Sequence, residues 1–117
     1  MKDVSEFIYK IATQEQWDKA TATGLFKGAP VDLSDGYIHF STAEQAIETI
    51  KKHFHGQHNL LLIKVASAPL GKDLQWEISR GGALFPHLYA DLKTSDAISV
   101  VELNEDDNGG HIFPEEL

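Results

Sequence analysis

The chain of 117 residues has no cysteine. Disulfides, thiolate metal sites and cysteine nucleophiles are therefore excluded, and a reducing compartment fits. Long hydrophobic runs are missing too. The longest, Leu60 to Ile63, falls far short of the roughly 20 apolar residues that a membrane-spanning helix needs. Met1 to Phe7 is polar and acidic and lacks the apolar stretch of a secretory signal. These absences predict a cytoplasmic protein with no membrane contact. Basic residues are scarce: 10 Lys and Arg against 18 Asp and Glu give a net charge of −8. No basic cluster exceeds Lys51-Lys52. Nonspecific nucleic-acid binding needs a basic face, so nucleic acid is not an expected partner.

What is present is ordinary for a globular protein, with 42% hydrophobic and 24% charged residues. The length suffices for one domain with its own core. Residues 1–117 read as that single domain, with a flexible start over 1–6 and an acidic, partly irregular tail over 104–117. There are no repeats, low-complexity segments or linkers.

Phe7 to Ala12 is rich in aromatic and β-branched residues and predicts a first strand. Thr13-Gln14-Glu15-Gln16 matches a capping box, so a helix should run to about Thr23, with Trp17 and Ala20 inward and Gly24 as its stop. Leu25 to Ser34 reads as a loop, Asp35-Gly36 as a turn and Tyr37 to Phe40 as a second strand. Ser41-Thr42-Ala43-Glu44 reads as another capping box. Ala43, Ala46, Ile47, Ile50 and Phe54 then recur at helical spacing up to a stop at Gly56. Strands follow over Leu60–Ala66, Leu74–Ile78, Phe85–Leu88 and Ala97–Leu103. The order β-α-β-α and then mostly strands predicts an α+β fold.

Two segments place histidine among apolar residues: Tyr37-Ile38-His39-Phe40-Ser41-Thr42 and Phe85-Pro86-His87-Leu88-Tyr89. A buried histidine must find a partner or carry a function. Strand alternation puts Ile38 and Phe40 on one face and Tyr37, His39 and Ser41 on the other. That polar stripe suits acid–base work or a polar ligand, or else His39 is structural and bonded to backbone. Ser41 and Thr42 open a helix, where free N–H groups favour an anion, although a plain capping role for Ser41 with Glu44 fits as well. Phe85, His87 and Tyr89 share a face if extended, which suits a planar ring, or else they are core aromatics beside an incidental histidine. Glu77 is a candidate base or ribose ligand, and Arg80 a phosphate partner; a surface ion pair and a tight turn explain them equally. His53, His55 and His58 are out of register for a metal site. Asn104 to Glu115 nearly spells a calcium loop but has no room for an exit helix.

The motifs Ile8-Tyr9-Lys10-Ile11, Gly36 to Gln45, Trp76-Glu77 and Phe85 to Tyr89 occur in this order over nearly the whole chain. As a set they resemble a small bacterial family catalogued as domain of unknown function 952. In one respect the chain departs from it, with Ala90 where relatives often carry glycine. The family is distantly similar to the ADP-ribosyltransferase-like fold, so the resemblance implies two small mixed or antiparallel sheets, two main helices and a cleft for NAD or another nucleotide. It implies that Lys10 takes the ribose-contacting position, that Ser41 or Thr42 supplies the second-strand hydroxyl, and that Glu77 or Glu102 is the acidic residue. The resulting expectation is a nucleotide cleft with His39, Glu77 and His87 as catalytic residues and Lys10, Tyr37, Ser41, Thr42, Arg80 and Tyr89 as ligand contacts. NAD is the candidate substrate, no metal is expected, and the candidate reaction is ADP-ribose transfer or action on a phosphorylated nucleotide. The alternative is a non-catalytic module that binds a small ligand or a protein, with structural histidines.

Overall fold

A computed structural model describes residues 6–114. The first strand, β1 (Phe7–Thr13), pairs antiparallel with β4 (Leu60–Ala66) from Phe7 opposite Ala66 to Thr13 opposite Leu60. On its other side β4 pairs with β8 (Ala97–Glu105), whose end pairs with the short β9 (His111–Ile112). Strands β1 and β4 of this four-stranded sheet are buried on both faces, which is why they read as near-continuous apolar runs, whereas β8 is largely exposed. One face packs Ile8, Ala12, Ile63 and Val65 with Trp17, Phe26, Ile38 and Phe40. The other packs Tyr9, Ile11, Leu60 and Leu62 with Ala46 and Ile50 of a helix.

Helix α1 (Gln14–Thr23) starts as its sequence predicts. The Thr13 hydroxyl accepts from the Gln16 N–H at 3.1 Å, and the Gln16 amide oxygen accepts from the Thr13 N–H at 2.9 Å. Trp17 and Ala20 are its buried residues, and the Gly24 N–H closes it on the Ala20 carbonyl. Leu25–Phe26 (β2) then pairs with Leu92–Lys93 (β7), a ribbon too short to show in the sequence.

The segment expected to be a loop contains a helix, α2 (Pro30–Asp35). Six residues are too few for a hydrophobic period, but the local chemistry is sufficient. Pro30 at the first position is pre-set in φ, and the Asp32 carboxylate accepts from the Ala29 N–H at 2.7 Å. Gly36, at φ 89°, ends α2 and turns the chain into β3 (Ile38–His39).

The next helix, α3 (Ala43–His53), is capped one residue later than expected. Thr42, not Ser41, is the cap, and Gln45, not Glu44, completes the box, with bonds of 3.2 and 3.0 Å. Ser41 is instead bridged by its backbone to Tyr9 of β1, at 2.7 and 2.9 Å. The helix ends at His53, before Gly56, whose N–H is taken by the Gly109 carbonyl.

Strands β5 (Leu74–Ile78) and β6 (Leu84–Leu88) form a hairpin, and β3 adds to β6, giving the order β3-β6-β5. Pro86 has no N–H to offer, and its carbonyl accepts from the Phe40 N–H at 2.9 Å. Among the described residues the fold is α+β with three small antiparallel sheets, where two were expected. Among the described residues of the acidic tail, β8 continues to Glu105 and the chain returns as β9. Asp106 closes that hairpin by accepting from the Asn108 and Gly110 N–H groups, which hold its carboxyl below the usual range. Phe113 packs onto the core beneath α3. The start expected to be flexible lies outside the described residues except Glu6, whose carbonyl accepts from the Ser67 N–H. Among the described residues no helix is long and apolar enough to cross a membrane.

Candidate functional site

Strand β3 brings the two histidine segments together. Ile38 pairs with Leu88 and His39 with His87, so the imidazoles are direct cross-strand neighbours with ring centroids 5.5 Å apart. Ile38 and Phe40 are buried in the core, and Tyr37, His39 and Ser41 line one pocket, as the alternation predicts.

Each imidazole is held by a carboxylate. The His39 Nδ1 lies 2.6 Å from the Asp32 Oδ1, and the His39 backbone N–H donates to that same oxygen at 3.0 Å. The other Asp32 oxygen takes the Lys10 ammonium at 2.7 Å and the Ala29 N–H at 2.7 Å. The Lys10 and Asp32 side chains are only 6% and 1% exposed. Burial pushes the Asp32 carboxyl up, but the His39 and Lys10 bonds and the Lys10 charge outweigh it and hold the group at about 2. Lys10 bears the opposite balance. Burial pushes its ammonium below the usual lysine range further than Asp32 restores it.

In the second pair the His87 Nδ1 lies 2.7 Å from the Glu77 Oε1, and the Tyr89 hydroxyl donates to that oxygen at 2.7 Å. Glu77 stands opposite Phe85, so His87 is its diagonal neighbour across β5 and β6. The bonds from Tyr89 and His87 hold the Glu77 carboxyl below its usual value, and the bond to Glu77 pushes the Tyr89 phenol up to about 12. The Tyr37 ring stacks on His87 at 4.2 Å between centroids and also contacts His39 and Tyr89. Burial raises the Tyr37 phenol, with Asp35, Glu77 and Asp32 adding to the effect.

A pocket of about 440 Å³ opens beside His39. Tyr9, Ile11, Val31 and Phe54 give it an apolar wall, and Lys10, Asp35, His39, Ser41 and His53 contribute polar groups. The two imidazoles relate to it differently. The His39 side chain is 28% exposed, and its Nε2 meets the rim carboxylate of Asp35 at 2.9 Å. His87 is 4% exposed and lies against Tyr37, and it does not line the pocket.

Of the site residues expected from sequence, His39, His87, Glu77, Tyr37 and Tyr89 thus form one cluster. Lys10 joins it through Asp32, and Ser41 lines the pocket. The Thr42 hydroxyl is engaged as the α3 cap. The Arg80 side chain lies outside the described residues. Glu102 sits opposite Leu61 in the four-stranded sheet rather than beside the histidines. Asp32 and Asp35 escaped the sequence reading because they lie in the segment taken as loop and turn. Pro30 at a helix start was the available signal. His53 lines the pocket, His58 pairs with Glu105 at 2.6 Å, and no group of three potential ligands among the described residues could hold a metal ion.

No curated protein matches the chain. The crystal structure of protein CC0527 from Caulobacter crescentus is similar to it at 51% sequence identity, with a TM-score of 0.87 over 91% of this chain and 93% of that one. The solution structure of CC0527 gives 51% identity and a TM-score of 0.82 over 91% of both chains. The model of the family described as protein of unknown function DUF952 matches residues 11–100, and the chain belongs to that family.

Proposed function

We propose that this domain carries a small-molecule site in which His39 is the proton-transferring group and the ligand bears a planar ring, as a nucleotide does. One observation carries the reading. The buried Lys10–Asp32 pair fixes the Nδ1 side of His39 and leaves Nε2 at the pocket, where its one partner among the described residues is the half-exposed Asp35. An imidazole oriented at one nitrogen by a buried carboxylate and presenting the other at a pocket, against a half-exposed carboxylate that a ligand can displace, is an arrangement suited to general acid–base catalysis. Asp32 accepts the Nδ1 hydrogen bond, and Nε2 gives a proton to the ligand or takes one from it. Tyr37 offers its ring to a planar ligand, and the apolar wall excludes water around it.

NAD stays within this proposal as a candidate substrate. Glu77 would polarise a ribose hydroxyl in ADP-ribose transfer, but its Oε1 is already occupied by His87 and Tyr89. That favours proton transfer at His39 over glycosyl transfer driven by Glu77. The second reading, a binding module with structural histidines, draws support from His87, which is buried and stacked beneath Tyr37.

The test is an NMR titration of labelled protein with NAD, ADP-ribose and nicotinamide. The proposal expects saturable shifts at His39, Ser41 and Tyr37, lost in His39→Ala although that variant still folds. Shifts unaffected by His39→Ala would refute it. No shift with any of the three ligands would favour the structural reading.

A further inference from the structure

We infer that Asp35 sits where the ligand's own oxyanion binds, so that the pocket takes a carboxylate or phosphate carried on a compact apolar or planar body. The inference rests on His39 being the ligand-facing group. Nothing in the sequence pattern assigned a role to Asp35 beyond its turn with Gly36.

The geometry points this way through the difference between the two aspartates on His39. Asp32 is enclosed, with its oxygens satisfied by Lys10, the Ala29 and His39 backbone N–H groups and the Nδ1 of His39. Asp35 is 43% exposed, at the end of α2, and its one partner among the described residues is the His39 Nε2 at 2.9 Å. Asp32 therefore positions the ring, while Asp35 occupies the nitrogen that a ligand would use. Only an imidazolium, with an N–H on each nitrogen, makes hydrogen bonds to both carboxylates.

The remaining polar lining suits an anion. Among the described residues Asp35 is the only carboxylate lining the pocket, against His39 and His53 and the hydroxyls of Ser41, Thr49 and Ser79, while the Lys10 ammonium at its wall is taken by Asp32. The nearby carboxylates of Asp32 and Glu77 are each held by two donor side chains. Asp35 thus acts as a tethered stand-in. It fills the acceptor position in the free protein and yields it to an acceptor of the same chemistry. The apolar wall of Tyr9, Ile11, Val31 and Phe54 takes the body of the ligand.

The test uses benzoate, phenyl phosphate and benzylamine as probes, followed by NMR at the His39 ring in wild type, Asp35→Ala and Asp35→Asn. Removing the internal competitor should tighten both anions about tenfold, because the binding-competent state no longer shares its population with the Asp35-bound one. Benzylamine should not bind. The stronger of the two anions assigns carboxylate or phosphate as the natural group. Anion affinity unchanged or weakened in Asp35→Ala, binding of benzylamine in preference, or no anion binding in any of the proteins would overturn the inference. A His39→Ala arm separates this result from the underlying reading. If the anions bind through His39 but are indifferent to Asp35, only the inference fails. If they bind regardless of His39, the acid–base reading fails with it.

Discussion

Asp32 lies between Lys10 and His39, at 2.7 and 2.6 Å, and ties strand β1 to strand β3 through a single buried carboxylate. The three residues come from a strand, a six-residue helix and a second strand. The site and the fold therefore depend on the same contacts.

Removing that carboxylate leaves a buried ammonium without its counterion. Asp32→Ala should destabilise the protein by about 3–5 kcal/mol, the usual cost of breaking one half of a buried ion pair. Urea denaturation measures it. The double variant Lys10→Met with Asp32→Asn should recover most of the loss, since it leaves no unpaired charge. A double variant no more stable than Asp32→Ala would contradict this account of the pair.

The same carboxylate sets an acid limit. Its value is depressed from 3.8 to about 2, so its contribution is fully present above about pH 4 and is lost as pH falls through about 2. The contribution is on the order of 2 kcal/mol. Denaturation midpoints recorded from pH 5 to pH 2 should fall more steeply in wild type than in the Lys10→Met, Asp32→Asn variant.

The place of Asp32 also depends on Gly28. That residue has φ 118°, and a Cβ added there would stand 2.7 Å from the Asp32 Cβ. Gly28→Ala should therefore cost about 1–3 kcal/mol in backbone strain and displacement. It should also shift the His39 ring resonances, because the Asp32 side chain that an added Cβ would meet is the one that holds the ring. A change in stability with the His39 resonances unmoved would show that Gly28 does not position Asp32.

The parts legible in the sequence are those with long, repeated signals. The Thr13–Gln16 box, the inward Trp17 and Ala20, the apolar runs of β1 and β4 and the alternation from Tyr37 to Ser41 all read directly from residue order. The meeting of His39 and His87 did not, because a cross-strand pair between residues 48 apart is a property of sheet order rather than of either segment. Helix α2 was hidden by its length, and Asp32 and Asp35 with it. The shift of the α3 cap from Ser41 to Thr42 has a tertiary cause, since the Ser41 backbone is committed to Tyr9. Local capping signals alone do not separate two adjacent hydroxyl residues.

Tyr89 offers a spectroscopic check on the second histidine pair. Its phenol is raised to about 12 by the bond to Glu77. In an ultraviolet titration, Glu77→Gln should bring one tyrosine down toward the usual value of about 10. Tyr89→Phe should remove that same transition. If Glu77→Gln leaves the tyrosine titration unchanged, the Glu77–Tyr89 bond is not present in solution.

In the proposed chemistry the Lys10–Asp32 pair fixes one nitrogen of His39 and leaves the other to exchange protons at the pocket. The most direct measurement is the ring ¹⁵N spectrum of His39 across a pH titration, in wild type and in Asp32→Asn. With Asp32 on Nδ1, that nitrogen should keep its proton throughout in the wild type while Nε2 alone exchanges one, and Asp32→Asn should abolish this preference. A wild-type ring that keeps its proton on Nε2, or a tautomer unchanged by Asp32→Asn, would contradict it.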